Sequence, residues 1–572
     1  MGTGIFSMGT RAMFAAQTML DTVGHNISNA NTPGYSRQDV QLATENGMFT
    51  GAGFFGRGVQ VVTITRSTNE FLSQEVNRNL AAESSDQTRL DKLLQLEKVL
   101  PTGESGLGYA AGQMLNAFVD VANQPQDMAA RQVVLSRARE WVSRVNTAGQ
   151  QLVEIQRGVA MDIENTVDRI NALAEEIAKA NQAIASYKGV GHTPNDLMDK
   201  RDQLVRNLSE LAQVTTVKAD DGGLNVFLGG GQLLVLGNET QELSVIADAS
   251  NSAFRRIALH NPINNTDREL DQSQITGGAL HGLLTFQDTD IVQTETQLNA
   301  FVQSFADRLN EQQRLGLDAE GVMGTDLFSN TTTAAGIRLA LNVPKGIAAA
   351  SPFVATTDVA NKGTATVDSF RMLQTTLPSG VTAPVSIQFY EDAGSPSGLR
   401  YEVTAAGGGA PYWTANWDPG EPITDGDPTP GVETASFEML IAGTPTGGSP
   451  GDTLTVSETI YFLGNNGNAL SMLALRDDAT FVTVDGASYA TVTDAYSQMV
   501  GSLGVLVQSG KTSAEISSTL STNSQQTLTG EVGVNLDEEA ARLIQYQQSY
   551  QAAAKMLQVA QKVFDILLET SR

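Results

Sequence analysis

The feature that most constrains this chain is a long apolar heptad seam in its first third. From Ala138 apolar residues recur at alternating steps of three and four as far as Ile184, with Asn181 as the polar member near the end. An extra step of four after Val159 is a stutter, which locally relaxes a left-handed supercoil. The spacing predicts one continuous helix over residues 127–187, about 90 Å long at about 1.5 Å per residue, and hence an elongated protein.

Both ends of the chain carry shorter seams of the same kind. The C-terminal seam consists of Leu543, Tyr546, Tyr550, Ala553, Leu557, Ala560, Phe564 and Leu567. The N-terminal seam consists of Met8, Ala12, Ala15, Met19 and Val23. Because an isolated amphipathic helix is marginal in water, each seam needs a partner. The simplest partner is the other terminus in a two-helix coiled coil, and the alternative is that both helices join an ordinary core.

Local signals mark where these helices begin and end. The turn sequence Asn31-Thr-Pro-Gly34 ends the N-terminal helix, because proline presets φ and glycine accepts positive φ. Asn535, with Glu538 three residues later, resembles a capping box that starts the C-terminal helix. Between the ends, the pattern predicts a strand or extended arm over residues 58–66 and further helices over 195–211 and 290–315.

Composition excludes several classes of function. The chain has 63 Asp and Glu against 36 Lys and Arg, a net charge of −27, which repels nucleic-acid phosphates and anionic membranes. The absence of cysteine excludes disulfides and thiolate chemistry. No apolar run is long enough to span a bilayer. Residues 1–20 lack a basic region ahead of their spaced apolar residues, which predicts an amphipathic helix rather than a cleaved signal peptide.

The composition changes between residues 345 and 461. Eleven of the 17 prolines lie between Pro352 and Pro450, together with two of the three tryptophans. Acidic residues far outnumber basic ones there, and alternating runs such as residues 385–390 predict strands. We interpret this segment as an inserted β domain, exposed on a helical stalk.

Motifs for phosphate binding fail on their context. The run Gly51-Ala-Gly-Phe-Phe-Gly56 matches the dinucleotide fingerprint, but a β-type run follows it where a helix is required. We therefore predict a flexible loop. The run Gly229-Gly-Gly231 lacks the Lys-Ser/Thr of a phosphate-binding loop and predicts a hairpin turn.

Candidates for metal binding and catalysis are equally weak. The four histidines have no metal-ligand spacing; they are His25, His192, His260 and His281. Asp196, Asp199 and Asp202 share one helical face beside Lys200, Arg201 and Arg206, which predicts a solvated, salt-bridged face. The glycosylation sequon at Asn26 lies in the N-terminal seam helix and is predicted to be packed. A carboxylate pair for glycoside hydrolysis stays open, because such pairs are defined in space.

The stretch Asn26-Ile-Ser-Asn-Ala-Asn-Thr-Pro-Gly-Tyr-Ser-Arg-Gln38 resembles the N-terminal signature of flagellar rod, hook and hook-associated proteins. Its ending and the run over residues 56–66 are similar to the FlgK family, the hook-associated proteins of the hook–filament junction. Residues 195–204 and 277–310 also resemble that family, as does Gly533-Val-Asn-Leu-Asp-Glu-Glu539 with the helix after it. Residues 345–461 match nothing in the family, whose middle domain varies.

The resemblance implies a structural protein of the extracellular flagellum, exported unfolded by the flagellar type III apparatus. It implies termini that are mobile in the monomer and form a coaxial helical pair on assembly. The implied partners are further copies of the chain in a ring, the hook protein below, a second hook–filament junction protein above, and a cytoplasmic export chaperone at the C-terminal helix. It implies no cofactor, no metal and no catalysis.

Together these readings predict an α+β multidomain protein. Residues 1–70 and 530–572 form a terminal core of paired helices. Residues 71–344 and 462–529 form a helical and mixed shell domain, and residues 345–461 form the inserted β-rich domain. The predicted assembly interface is Met8, Ala12, Ala15, Met19, Pro33, Gly34, Tyr35, Leu543, Tyr546, Tyr550, Ala553, Leu557, Ala560, Phe564 and Leu567.

Two other interpretations remain at this point. The nearer one is another axial flagellar protein, such as the hook or distal rod subunit, which is disfavoured by the long helix over residues 127–187. The more distant one is an enzyme or adhesin whose activity lies in residues 345–461. A glycan-binding or sugar-hydrolysis assay on that segment would separate it from a structural role.

Overall fold

The computed structural model describes residues 2–50, 53–187, 193–427, 434–479, 481–482 and 489–570. The chain is an α+β protein that forms two compact units. The first unit comprises Met1–Gln95, Gln156–Asp290 and Leu506–Arg572, and the second comprises Leu96–Ile155 and Ile291–Val505. Within the described ranges, none of the helices combines the length and apolar character needed to cross a bilayer.

The described residues form eleven α-helices, of six to 59 residues. They are α1 (Gly2–Asn29), α2 (Glu70–Glu97), α3 (Leu107–Asn116), α4 (Phe118–Asn123), α5 (Met128–Ser186), α6 (Asn195–Leu211), α7 (Gly278–Thr285), α8 (Ile291–Arg314), α9 (Gly467–Ala474), α10 (Val492–Val532) and α11 (Leu536–Thr570). A π-helical turn, Phe286–Asp290, joins α7 to α8.

The strands of the first unit form small antiparallel sheets. These strands are β1 (Gln38–Thr44), β2 (Met48–Thr50), β3 (Gly53–Phe55), β4 (Val59–Arg66), β5 (Val214–Lys218), β6 (Leu224–Leu228), β7 (Gln232–Leu236), β8 (Glu239–Thr240), β9 (Leu243–Ala247), β10 (Arg255–Asn261) and β11 (Thr266–Glu269). The sheet orders are β1-β4, β2-β3, β5-β6-β7-β8 and β11-β10-β9.

The second unit contains the larger sheets. Its strands are β12 (Phe328–Ser329), β13 (Arg338–Leu339), β14 (Phe353–Thr357), β15 (Thr366–Met372), β16 (Val385–Glu391), β17 (Leu399–Thr404), β18 (Trp413–Trp417), β19 (Ile423–Thr424), β20 (Phe437–Ala442), β21 (Thr453–Glu458), β22 (Phe481–Val482) and β23 (Tyr489–Ala490). The principal orders are β14-β21-β16-β17-β18 and β15-β20-β19, and the short pairs are β12-β13 and β22-β23.

Helix α5 confirms the long helix predicted from the heptad seam. Its seam residues are buried from Ala138 to Ile184, except that Ile155 is half-buried. In the second unit Trp141 packs its ring 4.6 Å from that of Phe305 and 5.2 Å from that of Phe328. The seam therefore finds its partners within the chain.

Two asparagines on the later part of α5 tie strands of the first unit to the helix. The Asn181 amide donates to the carbonyls of Leu224 and Gly237, at 2.9 and 2.7 Å, and its Oδ1 accepts from the Leu224 amide at 3.0 Å. Asn171 bonds both backbone groups of Leu243 in the same way. The polar seam member at 181 thus satisfies backbone groups that would otherwise be buried without partners.

Helices α2 and α10 pack against each other in the first unit with few large side chains. Val76 of α2 forms a small cluster with Leu528 and Val532 of α10. A Cβ at Gly510 would lie 3.0 Å from Leu93 Cδ1, so α10 approaches α2 closely there. Other buried positions of α10 are small and polar: Ser517, Ser521 and Ser524.

The region between Phe353 and Glu458 builds its own apolar core between its strands. The sequence prediction of a strand over residues 385–390 is confirmed by β16, whose alternate residues are buried. Phe389 lies opposite Tyr401 of β17, and both belong to a cluster that includes Phe437 and Val456. Alternation at period two explains this, because one face of each strand turns to the core.

The glycine-rich runs have simple structural roles. The run over residues 51–56 was expected to be a flexible loop, but β2 and β3 pair as a hairpin there, with Phe49 opposite Phe54. Residues 51 and 52 lie outside the described part of the chain. The run at 229–231 connects antiparallel strands β6 and β7, as predicted.

Candidate functional site

The terminal helices α1 and α11 pack against each other, and strands β1 and β4 also lie against α1. The two helices approach each other closely at Gly9. A Cβ built there would lie 2.9 Å from Leu557 Cδ2, so a larger residue would push Leu557 away. Of the two sequence-based alternatives, the structure shows the terminal helices paired with one another.

The predicted N-terminal interface residues lie on and beside this contact. Ala15 is buried together with its neighbour Ala16, whereas Met8, Ala12 and Met19 are half-buried. Met8 faces β4, since a Cβ at Gly58 would lie 3.1 Å from Met8 Cγ. The most buried stripe of α1 therefore includes Gly9, which the apolar pattern could not reveal.

The predicted C-terminal interface residues are less covered. Ala553 and Ala560 are buried, and Tyr546, Tyr550 and Leu557 are half-buried. Leu543 and Phe564 are exposed, and the side chain of Leu567 lies outside the part that the structure describes. Further apolar residues of α11 are also exposed: Ile544, Met556, Val559, Val563 and Ile566.

The exit from α1 is fixed by a turn whose conformation requires glycine. Pro33 is exposed, and Gly34 has a φ of 80°, which L-residues other than glycine rarely adopt. A Cβ at Gly34 would also lie 2.7 Å from Gln203 Oε1 of α6. The turn thus holds the chain against α6 as it leaves the helix.

Tyr35 turns back from this exit onto α1. Its hydroxyl donates to Asn26 Oδ1 at 2.8 Å and lies 3.0 Å from His25 Nδ1. Burial raises the pKa of Tyr35, and nearby carboxylates, with Asp196 the strongest, raise it further. The hydroxyl is therefore protonated at neutral pH and serves as a donor.

Asn26 is the centre of a buried polar node and is only 1% exposed. Its Nδ2 donates to the Gln38 carbonyl and to Glu539 Oε2, both at 2.9 Å. Its Oδ1 accepts from the Gln38 amide at 3.0 Å as well as from Tyr35. All four hydrogen-bonding positions of this carboxamide are used.

Glu539 brings the C-terminal helix into the node. It lies in the first turn of α11 and is 0% exposed. Its Oε2 accepts from Asn26, while its Oε1 has no hydrogen bond and lies 3.8 Å from Arg542. Arg542 in turn pairs with Asp39 of β1 at 2.6 Å.

The acidic face of α6 corrects a sequence-based prediction. Asp199 was expected on a solvated face, but it is buried and accepts from Ser36 N and Oγ at 3.1 and 2.9 Å. Arg66 of β4 reaches Asp199 at 2.7 Å and Asp202 at 2.6 Å. Sequence showed only the cations on α6 itself, whereas the main partner comes from a distant strand.

Arg66 remains charged in this setting. Burial opposes its charge, but the two carboxylates, Asp202 first, outweigh that cost, and the pKa of Arg66 lies above its ordinary value. The contact therefore fixes β4 on α6 as a buried ion pair, where loss of one partner would leave an uncompensated charge.

The start of α11 is capped as the sequence predicts, but only in one direction. Asn535 Oδ1 accepts from the amides of Asp537 and Glu538, at 3.0 and 3.4 Å. The Glu538 carboxylate does not complete a reciprocal box and instead pairs with Arg37 at 3.3 Å. The ion pair between Glu538 and Arg37 therefore adds a second link from α11 to the segment that follows α1.

Groups that could support other chemistry are differently arranged. Among the described residues, no three His, Cys, Asp or Glu side chains are placed to share a metal ion, and His192 lies outside these residues. Ser244 and His260 both bond the same oxygen of Asp267, at 2.8 and 2.9 Å. This serine hydroxyl is thus bonded to the carboxylate, whereas a nucleophilic serine needs its base as partner.

The buried polar residues Asn26, Ser36, Asp199 and Glu539 were not among the predicted interface residues. The sequence showed that Asn26 lies within a helical seam, and its burial confirms the predicted packed position. For the other three residues, the available sequence signal was a polar residue placed inside or next to an apolar seam. Their pairing could not be deduced, because it joins segments hundreds of residues apart.

Comparison with family models gives three matches. Residues 6–35 match the flagella basal body rod protein family, and residues 525–570 match the flagellar basal body rod FlgEFG protein C-terminal family. Both ends of the chain thus match families of flagellar rod proteins. Residues 93–328 match the helical domain of the flagellar hook-associated protein FlgK. The chain belongs to the FlgK family of flagellar hook-associated proteins.

Whole-length relatives agree with this assignment. The chain is 28% identical to flagellar hook-associated protein 1 of Escherichia coli strain K12 over 566 residues, covering 97% of each chain. It is 28% identical to that of Salmonella typhimurium strain LT2 over 565 residues, again covering 97% of each. The Bacillus subtilis strain 168 protein is 26% identical over 349 residues, which cover 56% of this chain and 69% of that one.

A solved structure shares the fold. The flagellar hook junction protein FlgK from Burkholderia pseudomallei superposes with a TM-score of 0.65 at 23% sequence identity. The match covers 79% of this chain and 99% of that one.

Proposed function

We propose that this chain is a structural, non-catalytic subunit of the extracellular flagellum that joins the hook to the filament. It assembles as a ring on the hook tip through α1 and α11. The hook protein is its partner below, and a second hook–filament junction protein is its partner above. The single observation that carries the proposal is the pairing of α1 with α11, which leaves a row of apolar residues on α11 uncovered.

The uncovered row is best explained by assembly. Leu543 and Phe564 of the predicted seam are exposed, and so are neighbours such as Val559. Contiguous exposed apolar surface on a soluble chain marks an interaction site. In the ring, the helix pairs of neighbouring copies cover this surface, and the buried area offsets the entropy of ordering the termini. Before export, the same row is the binding site of a cytoplasmic chaperone.

We propose that the chain is organised in three domains for this structural role. Residues 1–70 and 530–572 form the terminal core, and 71–344 with 462–529 form the shell. Residues 345–461 form an outward-facing variable domain, and the apolar cluster around Phe389 and Phe437 supports its treatment as a separate folding element. The predicted interface residues, from Met8 to Leu567, are proposed to act in the core.

The test is to locate the full-length chain on detached flagella. An epitope tag is inserted at the exposed Gly407-Gly-Gly409 loop between β17 and β18, where the glycines have nothing within 4 Å of an added Cβ. Immunogold labelling should give one band between hook and filament. Label along the hook or rod would assign the chain to another axial position, and absence of label from flagella of a motile strain would reject the proposal.

A further inference from the structure

The carboxamide of Asn26 has its orientation fixed before it meets α11. Its Oδ1 accepts from two donors, the Gln38 amide and the Tyr35 hydroxyl, and one of its N–H groups is held by the Gln38 carbonyl. Turning the amide over would place its N–H groups against the Gln38 amide and leave the Gln38 carbonyl without a donor. Its remaining N–H therefore has one direction, toward Glu539.

We propose that Asn26, Tyr35 and Gln38 form a pre-organised receptor for one carboxylate, that of Glu539, and that this bond sets the register of α11 on α1. The inference rests on the proposed function, because it names the contact that aligns the helix pair used in assembly. Asn26 and Glu539 act here as positioning residues for the two helices.

The receptor suits an acidic residue at the start of a helix. Glu539 lies in the first turn of α11, where the helix dipole favours negative charge. Its Oε1 makes no hydrogen bond, and Arg542 is 3.8 Å away. Without Asn26 this carboxylate would be buried with no hydrogen bond, which is costly enough to make the pairing selective.

Apolar contacts alone would hold the register weakly. Most of the fully buried apolar residues of the two helices are small, such as Ala16 on α1 and Ala553 and Ala560 on α11. Similar small residues can exchange places when one helix slides by a turn. A single buried polar pair cannot, and such pairs are known to specify register in coiled coils.

The absence of cysteine makes register directly measurable. Gly9→Cys and Leu557→Cys are introduced together in the full-length chain, because a Cβ at Gly9 lies against the Leu557 side chain and 3.8 Å from its backbone nitrogen. The rate of disulfide formation on mild oxidation is followed on non-reducing gels. It is measured on the secreted chain and on detached flagella, so that pairing formed only on assembly is also sampled.

In this cysteine background we expect Asn26→Asp to slow cross-linking by at least about tenfold, since two carboxylates then meet in a buried site. Glu539→Gln alone should slow it by no more than about threefold, because its amide oxygen still accepts from Asn26. Combining Asn26→Asp with Glu539→Gln should restore part of the rate, because the new amide at 539 can donate to the new carboxylate at 26, while the Gln38 carbonyl still lacks the donor that Asn26 supplies.

The matched control is Arg37→Gln. It removes an ion pair between the same two segments, Arg37 with Glu538, but that pair is solvent-accessible and should change the rate by less than about twofold. Cross-linking of Asn26→Asp at the parent rate would overturn the inference. So would a double variant that cross-links no faster than Asn26→Asp alone.

Filament attachment is scored in the same cells to separate this inference from the proposed function. Rescue of cross-linking in the double variant, with filaments attached equally well in every variant, would keep the receptor and reject the helix pair as the assembly element. Absence of rescue, with filaments lost in a separate strain that carries Leu557→Asp without the two cysteines, would reject the receptor and keep the proposed function.

Discussion

Helices α5 and α11 carry the same kind of heptad seam but differ in how far its residues are buried. Along α5 the seam residues from Ala138 to Ile184 are buried, with Ile155 half-covered. Along α11 only Ala553 and Ala560 of the described seam residues are fully buried. A heptad pattern therefore predicts that a helix will be covered, but it does not say whether the cover comes from the same chain.

The difference lies in the partners that each helix has. In the second unit, α5 packs Trp141 against aromatic rings of α8 and β12, and in the first unit its asparagines bind strands. Helix α11 contacts α1, while its outward residues stay exposed. Substitutions in α5 should accordingly lower the stability of the monomer, and substitutions in α11 should affect assembly.

The largest stability loss is expected for Trp141→Ala, at about 3–5 kcal/mol, because it empties a fully buried aromatic site. Urea unfolding followed by far-UV circular dichroism measures it. Met161→Ala, at an exposed position of the same helix, is the control and should cost less than about 0.5 kcal/mol. Equal losses for the two variants would contradict the contrast drawn between buried and exposed faces.

Asn181→Leu should lower the free energy of unfolding by about 3 kcal/mol. The physical cause differs from that for Trp141→Ala, because the change at 181 leaves the backbone groups of Leu224 and the Gly237 carbonyl without their hydrogen-bond partner. Hydrogen exchange at the Leu224 amide should accelerate together with the loss of stability. Asn165→Leu, on the exposed side of α5, should leave that amide protected.

Gly34→Ala tests the turn that leads out of the terminal pair. The positive φ at Gly34 should cost about 1–2 kcal/mol, measured by thermal unfolding. Gly24→Ala is a control of opposite sign, because Gly24 lies within α1 with nothing near its added Cβ and should stabilise the helix by up to about 1 kcal/mol. A gain in stability for Gly34→Ala would show that the turn does not require glycine.

The smallest stability effect is expected for Leu557→Asp, below about 1 kcal/mol for the main unfolding transition, because α11 adds little cover to the rest of the chain. The variant should be soluble but should fail to attach filaments, as seen by electron microscopy of complemented cells. Gln561→Asp, at an exposed polar position of α11, should attach them normally. Normal hook–filament junctions in cells that carry Leu557→Asp would show that Leu557 of α11 is not needed for assembly, contrary to the contrast drawn with α5.

Much of the helical framework could be predicted from the sequence. The long helix, the helix over residues 195–211 and the strand over 58–66 match α5, α6 and β4 closely. The match is best founded for α5, which buries a regular apolar face. The α1 exit turn was predicted from Pro33 and Gly34, whose backbone preferences are local. These are the elements in which local pattern and tertiary packing agree.

Other elements could not be predicted, for identifiable physical reasons. Helix α10 was not delimited, because its buried stripe includes Ser517, Ser521 and Ser524 and so lacks an apolar period. The predicted solvated face at Asp199 was wrong, because its partners Ser36 and Arg66 come from elsewhere in the chain. Small and polar packing is visible only once the neighbouring element is in place.

The bond between Asn26 and Glu539 joins residues 513 positions apart. It closes a loop that includes nearly the whole chain, so the entropy of closure is affordable only after the intervening units have folded. A chain that stops before Glu539 leaves the Asn26 amide without its acceptor, however well the remainder folds. The Asn26–Glu539 bond therefore forms only after nearly the whole chain has been synthesised. An unfinished copy lacks the contact that aligns its terminal helices.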